Sequence, residues 1–211
     1  CRLGGFSESQ VRVIYNPAAT GVPVHPISIP DSEKLWGEGF NFHILSVGTL
    51  KAQKDHATLI RAFALLPESL SAKLIILGEG QLRGELEDLI RELGLQDKVH
   101  LPGFMIDPSP WFRSADLFVL SSGYEGFGNV IVEALECGVP VVSTDCPSGP
   151  AEILDHGRIG KLVPIRDQES LSRAMTASYF EEHDRRVLMD RAKDFSIERI
   201  SVQYLDYFWS E

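Results

Sequence analysis

Strand-length apolar runs alternate with amphipathic stretches along most of this chain. Phe42-His43-Ile44-Leu45-Ser46-Val47-Gly48, Lys73-Leu74-Ile75-Ile76-Leu77-Gly78 and Asp116-Leu117-Phe118-Val119-Leu120-Ser121 are continuous enough to be strands buried on both faces. Lys98 to Leu101, Val139 to Thr144 and Gly160 to Val163 predict three more strands. Helical periodicity fills the intervals. It runs from Asp55 to Leu66, ending before Pro67, and from Gln81 to Leu93, closed by Gly94. Shorter helices are predicted over Pro110 to Ser114 and Pro150 to Leu154, and longer ones over about 167–182, 184–194 and 196–209. From residue 42 onward the alternation predicts an α/β, Rossmann-like parallel sheet with helices on both faces.

Residues 1–41 break this pattern. They hold Pro17, Pro23, Pro26 and Pro30, and only Val11-Arg12-Val13-Ile14-Tyr15 reads as a strand before Asn16-Pro17 ends it. The segment reads as an interdomain linker, and residues 42–211 as one domain. The chain starts at Cys1 with no initiator Met and no signal-peptide pattern, which predicts a piece of a longer protein. The last helix carries Tyr204, Leu205, Tyr207, Phe208 and Trp209. So dense an aromatic end suggests packing on a missing domain, with burial in this domain's own core as the alternative.

Composition narrows the function. The formal net charge of −10 argues against a nucleic-acid partner. No apolar run approaches a membrane span. Three cysteines make no disulfide framework and no Cys-x-x-Cys spacing occurs, so Cys137 and Cys146 read as small buried residues in a reducing compartment. The six histidines have no ligand spacing and read as structural or exposed.

The informative chemistry lies after the Asp116–Ser121 strand. Gly123-Tyr124-Glu125-Gly126-Phe127-Gly128-Asn129-Val130 opens a helix that carries Glu133. Gly126 and Gly128 let backbone amides approach a ligand closely, and a helix N-terminus offers unpaired N–H groups and partial positive charge. The amides of Gly126, Phe127, Gly128, Asn129 and Val130 therefore suit a phosphate. Glu125 and Glu133 flank them, and a carboxylate is a good acceptor for sugar hydroxyls. The layout fits a nucleotide sugar. Taken alone, Glu133 is a polar-face glutamate beside Asn129 and Glu136 and would ordinarily be solvated; taken alone, Glu125 is a helix-entry acid.

Elsewhere the signals are thinner. Gly78-Glu79-Gly80 follows a strand as a dinucleotide fingerprint would, but the third glycine is misplaced, so a plain strand-to-helix turn is an equal reading. Lys54 sits where the C-terminal edge of a parallel sheet gathers ligands, and reads as a phosphate clamp or a solvated lysine. Ser148-Gly149-Pro150 opens another helix whose amides could face the same cleft. No Asp-x-Asp triplet occurs, which predicts a diphosphate site without a metal. No Gly-x-Ser-x-Gly elbow points to a hydrolase.

These motifs resemble the retaining glycosyltransferases of family 4, the group 1 glycosyltransferases of GT-B fold. Glu125 and Glu133 match that family's Glu-x7-Glu motif. Val47-Gly48-Thr49-Leu50-Lys51-Ala52-Gln53-Lys54 resembles its Val-Gly-Arg-Leu…Lys phosphate loop, with Thr49 in place of the usual Arg. Leu77-Gly78-Glu79-Gly80, Leu101-Pro102-Gly103-Phe104, Gly138 to Asp145, Gly149-Pro150-Ala151-Glu152-Ile153 and Val11 to Pro17 extend the match over nearly the whole chain. The resemblance implies one half of a GT-B fold, the C-terminal donor-binding domain. Glu125 and Lys54 are then the catalytic-site pair, on the donor sugar and the phosphates respectively. Glu133 would take the ribose and the amides after Glu125 the diphosphate, with Thr49, Lys51 and Gly78 alongside and the backbone at Phe104 meeting the base. Lys51 is a candidate substitute for the missing Arg.

The run Asp145-Cys146-Pro147-Ser148-Gly149-Pro150 resembles members that build bacterial surface polysaccharides from UDP-hexoses or UDP-N-acetylhexosamines. The resemblance further implies transfer with retention, a saccharide or lipid-linked acceptor held by an absent N-terminal domain, and no cofactor beyond the donor. The whole protein would lie in the cytoplasm, at the inner face of the membrane, and this chain alone would be inactive. A UDP-sugar epimerase of the same fold and a non-catalytic nucleotide-binding module remain open alternatives.

Overall fold

The computed structural model describes residues 12–21 and 29–209. Six strands form one all-parallel sheet: β1 (Phe42–Val47), β2 (Ala72–Leu77), β3 (Val99–Gly103), β4 (Leu117–Leu120), β5 (Val141–Thr144) and β6 (Lys161–Val163). Their order is β3-β2-β1-β4-β5-β6. In-register pairs such as Ile44↔Leu74 and Ile44↔Leu117 anchor the centre.

Period-two alternation sends successive strand residues to opposite faces, and both faces are buried. On one face Ile44, Leu74, Ile76, Leu117, Val119 and Val142 meet α2 (His56–Ala64), α3 (Arg83–Glu92) and α7 (Gln168–Phe180). On the other, Leu45, Ile75, Leu77, Phe118, Leu120 and Val141 meet α1 (Ile29–Trp36), α4 (Ser109–Ser114), α5 (Asn129–Glu136), α6 (Pro150–Ile153) and α8 (Arg185–Lys193). Helix-entry carboxylates fix where α2 and α7 start. Asp55 accepts from the Thr58 amide at 3.4 Å, and Asp167 from the Ser170 amide at 2.8 Å.

The N-terminal segment differs from expectation in two ways. Residues 12–18 form no strand, and Val11 lies outside the described residues. Tyr15 instead stacks on Phe127 at 5.4 Å and meets Phe195 edge-on at 5.9 Å, while Ala19 makes an isolated parallel bridge with Ser196. Aromatic burial, available only in the folded chain, outweighs β-propensity in so short a run. Second, Pro30 lies in α1, a helix not anticipated from the sequence. Trp36 at its end is buried, donates to Ser114 Oγ at 2.8 Å and stacks on His43 at 4.8 Å. Cys1, Pro23 and Pro26 lie outside the described residues.

The last helix, α9 (Ile197–Trp209), buries Ile200 alone. Tyr204, Leu205, Tyr207, Phe208 and Trp209 are all exposed, the last at 80%. Burial in this domain's own core is thereby ruled out for that aromatic end.

A glycine contact sets one loop at the carboxyl end of the sheet. A Cβ on Gly149, where φ is 95°, would sit 1.7 Å from the Phe127 carbonyl oxygen. A Cβ on Gly84, exposed in the first turn of α3, would meet nothing within 4 Å. Gly149→Ala should therefore lower stability by about 1–3 kcal/mol through overpacking and strain. Gly84→Ala should raise it by about 0.5–1 kcal/mol by removing backbone entropy. Urea unfolding of the two variants checks both signs.

Candidate functional site

The strand order reverses between β1 and β4. The crossovers after β1 lie on one face of the sheet and those after β4 on the other, which opens a crevice at the carboxyl ends of the two strands. The loop 48–54 leaves β1 and the loop 121–128 leaves β4, so both enter that crevice.

Lys54 and Glu125 meet across it. Lys54 Nζ lies 2.6 Å from Glu125 Oε1, and the two side chains are 14% and 8% exposed. Ser122 Oγ donates to the same oxygen at 2.6 Å. Among the described residues Glu125 Oε2 has no partner. One carboxylate oxygen is thus saturated and fixed while the other stays available. Backbone contacts lock the two loops together. The Gly123 amide donates to the Gln53 carbonyl at 2.8 Å, Gln53 Nε2 to the Tyr124 carbonyl at 2.8 Å, and Ser121 Oγ to the Lys54 carbonyl at 2.8 Å. Thr144 Oγ1 braces the Ser122 carbonyl at 2.6 Å from the end of β5. A buried pair held this way is rigid, but either charge alone would be costly to bury.

Beyond Glu125, Gly128 adopts the left-handed conformation, with φ of 95°, and caps α5. The N–H groups of Gly126, Phe127, Gly128, Asn129 and Val130 have no hydrogen-bond acceptor among the described residues. Five free amides at a helix start form a concave positive site. A Cβ on Gly126 would meet nothing within 4 Å, so no packing contact requires glycine there. The Phe127 side chain points inward, against Tyr15 and Phe195, which leaves its backbone alone to face a ligand. Val130 likewise packs on the core.

Glu133 sits one turn further along α5, half-buried and without a partner among the described residues. Burial, with a smaller push from Glu136, raises its carboxyl above the usual carboxylate range. It is not the solvated polar-face glutamate that its position alone suggested. The strap of residues 16–21 covers its neighbours: Asn16 Nδ2 donates to Asn129 Oδ1 at 3.3 Å, and the Gly21 amide to Glu136 Oε1 at 2.7 Å.

On the other side of Lys54 a cleft of about 320 Å³ is lined by Gly48, Thr49, Gly78, Glu79, Phe104 and Met105, among others. Its walls touch backbone to backbone. A Cβ on Gly78 would lie 2.1 Å from the Gly48 carbonyl oxygen, and the Gly78 amide donates to the Gly103 carbonyl at 2.8 Å. The Gly78-Glu79-Gly80 turn is thus a close-packed strand exit. Glu79 is gripped by Arg83 at 2.8 and 2.5 Å, and Arg83 also donates to the Leu101 carbonyl at 3.1 Å. Phe104 is 71% exposed at the cleft mouth.

The structure separates the two lysines. Lys51 lines a different groove, between α2 and α3, with Asp55, Arg61 and Glu85. The Gly149 amide is occupied by Glu152 Oε2 at 2.8 Å, so it is not offered to the cleft. Ser122, Gln53 and Thr144 were not singled out from the sequence. The only signal was the Ser121-Ser122 pair directly after a buried strand. Cys146 is buried and Cys137 half-buried, both as free thiols. Among the described residues no group of three or more His, Cys, Asp or Glu could hold a metal ion, and no helix is long and apolar enough to cross a membrane.

Known proteins share this arrangement of strands and loops. The family model described as "Glycosyl transferases group 1" matches residues 34–195. A Campylobacter jejuni enzyme named N-acetylgalactosamine-N,N'-diacetylbacillosaminyl-diphospho-undecaprenol 4-alpha-N-acetylgalactosaminyltransferase is 41% identical over 150 residues, covering 71% of this chain and 40% of its own. The lipopolysaccharide core biosynthesis glycosyltransferase LpsE of Rhizobium meliloti is 34% identical over 207 residues, covering 96% of this chain and 58% of its own. Anabaena HepE, solved in complex with UDP and glucose, superposes with a TM-score of 0.81 at 25% identity, over 98% of this chain and 59% of that one. The chain therefore spans about half the length of these relatives. With the motifs, the sheet order and the family match in agreement, this chain belongs to the group 1 glycosyltransferases.

Proposed function

We propose that this chain is the donor-binding half of a retaining glycosyltransferase that uses a UDP-hexose or UDP-N-acetylhexosamine. The observation that carries the reading is the row of five free amides at the start of α5, beside the Lys54–Glu125 pair. The amides and the two remaining N–H groups of Lys54 would hold the diphosphate. Glu125 Oε2 would accept from a hydroxyl of the donor sugar, and Glu133 from the ribose. The cleft at Thr49, Gly78 and Phe104 would take the base. Residues 1–41 then act as the linker from an N-terminal acceptor half, and the exposed aromatic end of α9 packs on that half.

The acceptor on this reading is a saccharide or a lipid-linked saccharide, met in the cytoplasm at the inner face of the membrane. The undecaprenol-linked acceptor in the Campylobacter relative's name supports that class. The α linkage in the same name supports retention, because transfer from an α-configured nucleotide sugar to an α product keeps the configuration. Catalysis would come from positioning the sugar and stabilising the departing diphosphate with fixed N–H donors and one ammonium. With half the cleft missing, this chain alone would bind donor but transfer nothing.

The first test is calorimetric titration of UDP into the chain, with magnesium and with a chelator. Equal binding in the two is expected, because Lys54 and the amides supply the positive charge. Loss of binding on chelation would show that a metal carries the diphosphate.

Lys54 serves both stability and binding. Lys54→Met strands a buried carboxylate and should cost about 3 kcal/mol of stability. Adding Glu125→Gln should restore most of that stability while UDP binding stays weak. Lys51→Ala, in the other groove, should change UDP affinity little. A larger loss with Lys51→Ala than with the double variant would reverse the roles of the two lysines.

Glu133 gives a pH dependence of known sign. Its folded pKa is raised, so its stabilising effect exists below the ordinary carboxylate range and is lost as pH rises through the raised value. Glu133→Gln should therefore melt at or above the wild-type temperature at neutral pH. The same change should weaken UDP binding there by about 1.5–3 kcal/mol, the worth of a charged hydrogen bond. On acidification Glu133 protonates in the wild type, and the affinity gap between the two proteins should close. A gap that is constant with pH would remove Glu133 from the site.

A further inference from the structure

Ser122 lies fully buried just past the end of β4, three residues before Glu125. Its hydroxyl donates to Glu125 Oε1 at 2.6 Å, the same oxygen that Lys54 Nζ meets at 2.6 Å. The two donors differ in kind. An ammonium is a compact charge with rotatable N–H groups, so it holds a carboxylate close without fixing its rotation. With Lys54 alone, the carboxylate could turn about its last bond and share both oxygens with the ammonium. A serine hydroxyl hangs on one side-chain torsion, so a fixed backbone puts its oxygen in a fixed place. This second donor pins Oε1, and Oε2 must then face away from both.

The backbone at Ser122 is fixed from several sides. Thr144, buried at the end of β5, donates from Oγ1 to the Ser122 carbonyl at 2.6 Å. On one flank Ser121 Oγ donates to the Lys54 carbonyl at 2.8 Å, and on the other the Gly123 amide donates to the Gln53 carbonyl at 2.8 Å. Ser122 and Lys54, the two donors to Oε1, are therefore held in one frame. The Glu125 amide donates to the Pro147 carbonyl at 3.3 Å, which ties the acid's own backbone to the loop after β5. Nothing in this set has to move for Oε2 to be presented.

A serine that only satisfied a buried carboxylate would serve stability. The geometry goes further, because both donors converge on Oε1 while Oε2 has no partner among the described residues. A carboxylate buried for stability alone would have both oxygens met. We infer that Ser122 is a positioning residue for the donor sugar: by pinning Oε1 it aims Oε2 at the sugar hydroxyl, and Thr144 holds it there from β5. The inference rests on the donor-site reading above, in which Glu125 meets the sugar while the amides and Lys54 meet the diphosphate. Ser122 touches no substrate and acts through Glu125. Its loss is therefore felt in the binding of the sugar and not in that of UDP.

The test measures two affinities for each protein by calorimetry. One is for UDP. The other is for whichever of UDP-glucose, UDP-galactose, UDP-N-acetylglucosamine and UDP-N-acetylgalactosamine the wild type binds best. Their ratio separates the contribution of the sugar from that of the diphosphate. Ser122→Ala should move the ratio about 3- to 10-fold against the UDP-sugar, the net worth of one hydrogen bond, and leave UDP affinity unchanged. Ser122→Thr, which keeps the hydroxyl, should restore most of the ratio. Glu125→Gln, which removes the accepting charge itself, should move it at least as far as Ser122→Ala. If Ser122→Ala does not fold, Ser122→Cys, whose thiol is a weak donor, takes its place. A ratio that moves in Glu125→Gln but keeps its wild-type value in Ser122→Ala, whatever the melting temperature does, overturns this inference alone. A ratio unmoved in both variants overturns the sugar role of Glu125, and a wild-type chain that binds no UDP overturns the donor-site reading; in either case this inference falls with it.

Discussion

Between β1 and β4 the crossovers part to opposite faces of the sheet, and the Lys54–Glu125 pair and the free amides at the start of α5 hang from the gap this leaves. Backbone at the carboxyl ends of those two strands has no neighbouring crossover to cover it. The loops after β1 and β4 therefore face each other, and polar groups can sit there with low exposure and still reach a ligand. Lys54 comes from one loop and Glu125 from the other, and they meet at 2.6 Å. Their pairing offsets the desolvation of each, so a cation and an anion can both wait inside the crevice.

The same gap explains the glycines. Loops that converge on one crevice leave no room for side chains where they cross. Gly78 against the Gly48 carbonyl and Gly149 against the Phe127 carbonyl are backbone-on-backbone contacts. Gly126 is different, since its missing Cβ faces open space. Packing accounts for the first two and not for the third.

The N-terminal strap and α9 extend the site beyond the sheet. Tyr15, Asn16 and Gly21 touch Phe127, Asn129 and Glu136, so the segment entering the domain rests on the helix that carries the free amides and Glu133. A segment docked in this way couples the path of the chain to the start of α5. The exposed aromatic end of α9 and the chain's half-length match to its relatives both leave room for the acceptor half of the proposed enzyme.

The sheet, its helices and the motif-bearing loops were legible in the sequence because their signals are local. Period-two and period-3.6 patterns, a Pro67 stop and a Gly94 cap depend on neighbours along the chain. The Glu125–Glu133 spacing and the glycines between them were legible for the same reason. Three things were decided only by the fold. Residues 12–15 form no strand, and Tyr15 instead makes aromatic contacts with Phe127 and Phe195, residues far along the chain. Lys51 and Lys54, three positions apart, were sent to different grooves by the turn between them. Gln53 and Thr144 matter through the Tyr124 and Ser122 carbonyls, which the fold brings to them, with nothing in their own sequence to mark it. Local chemistry sets what each segment can be, and long-range burial sets which way its side chains face.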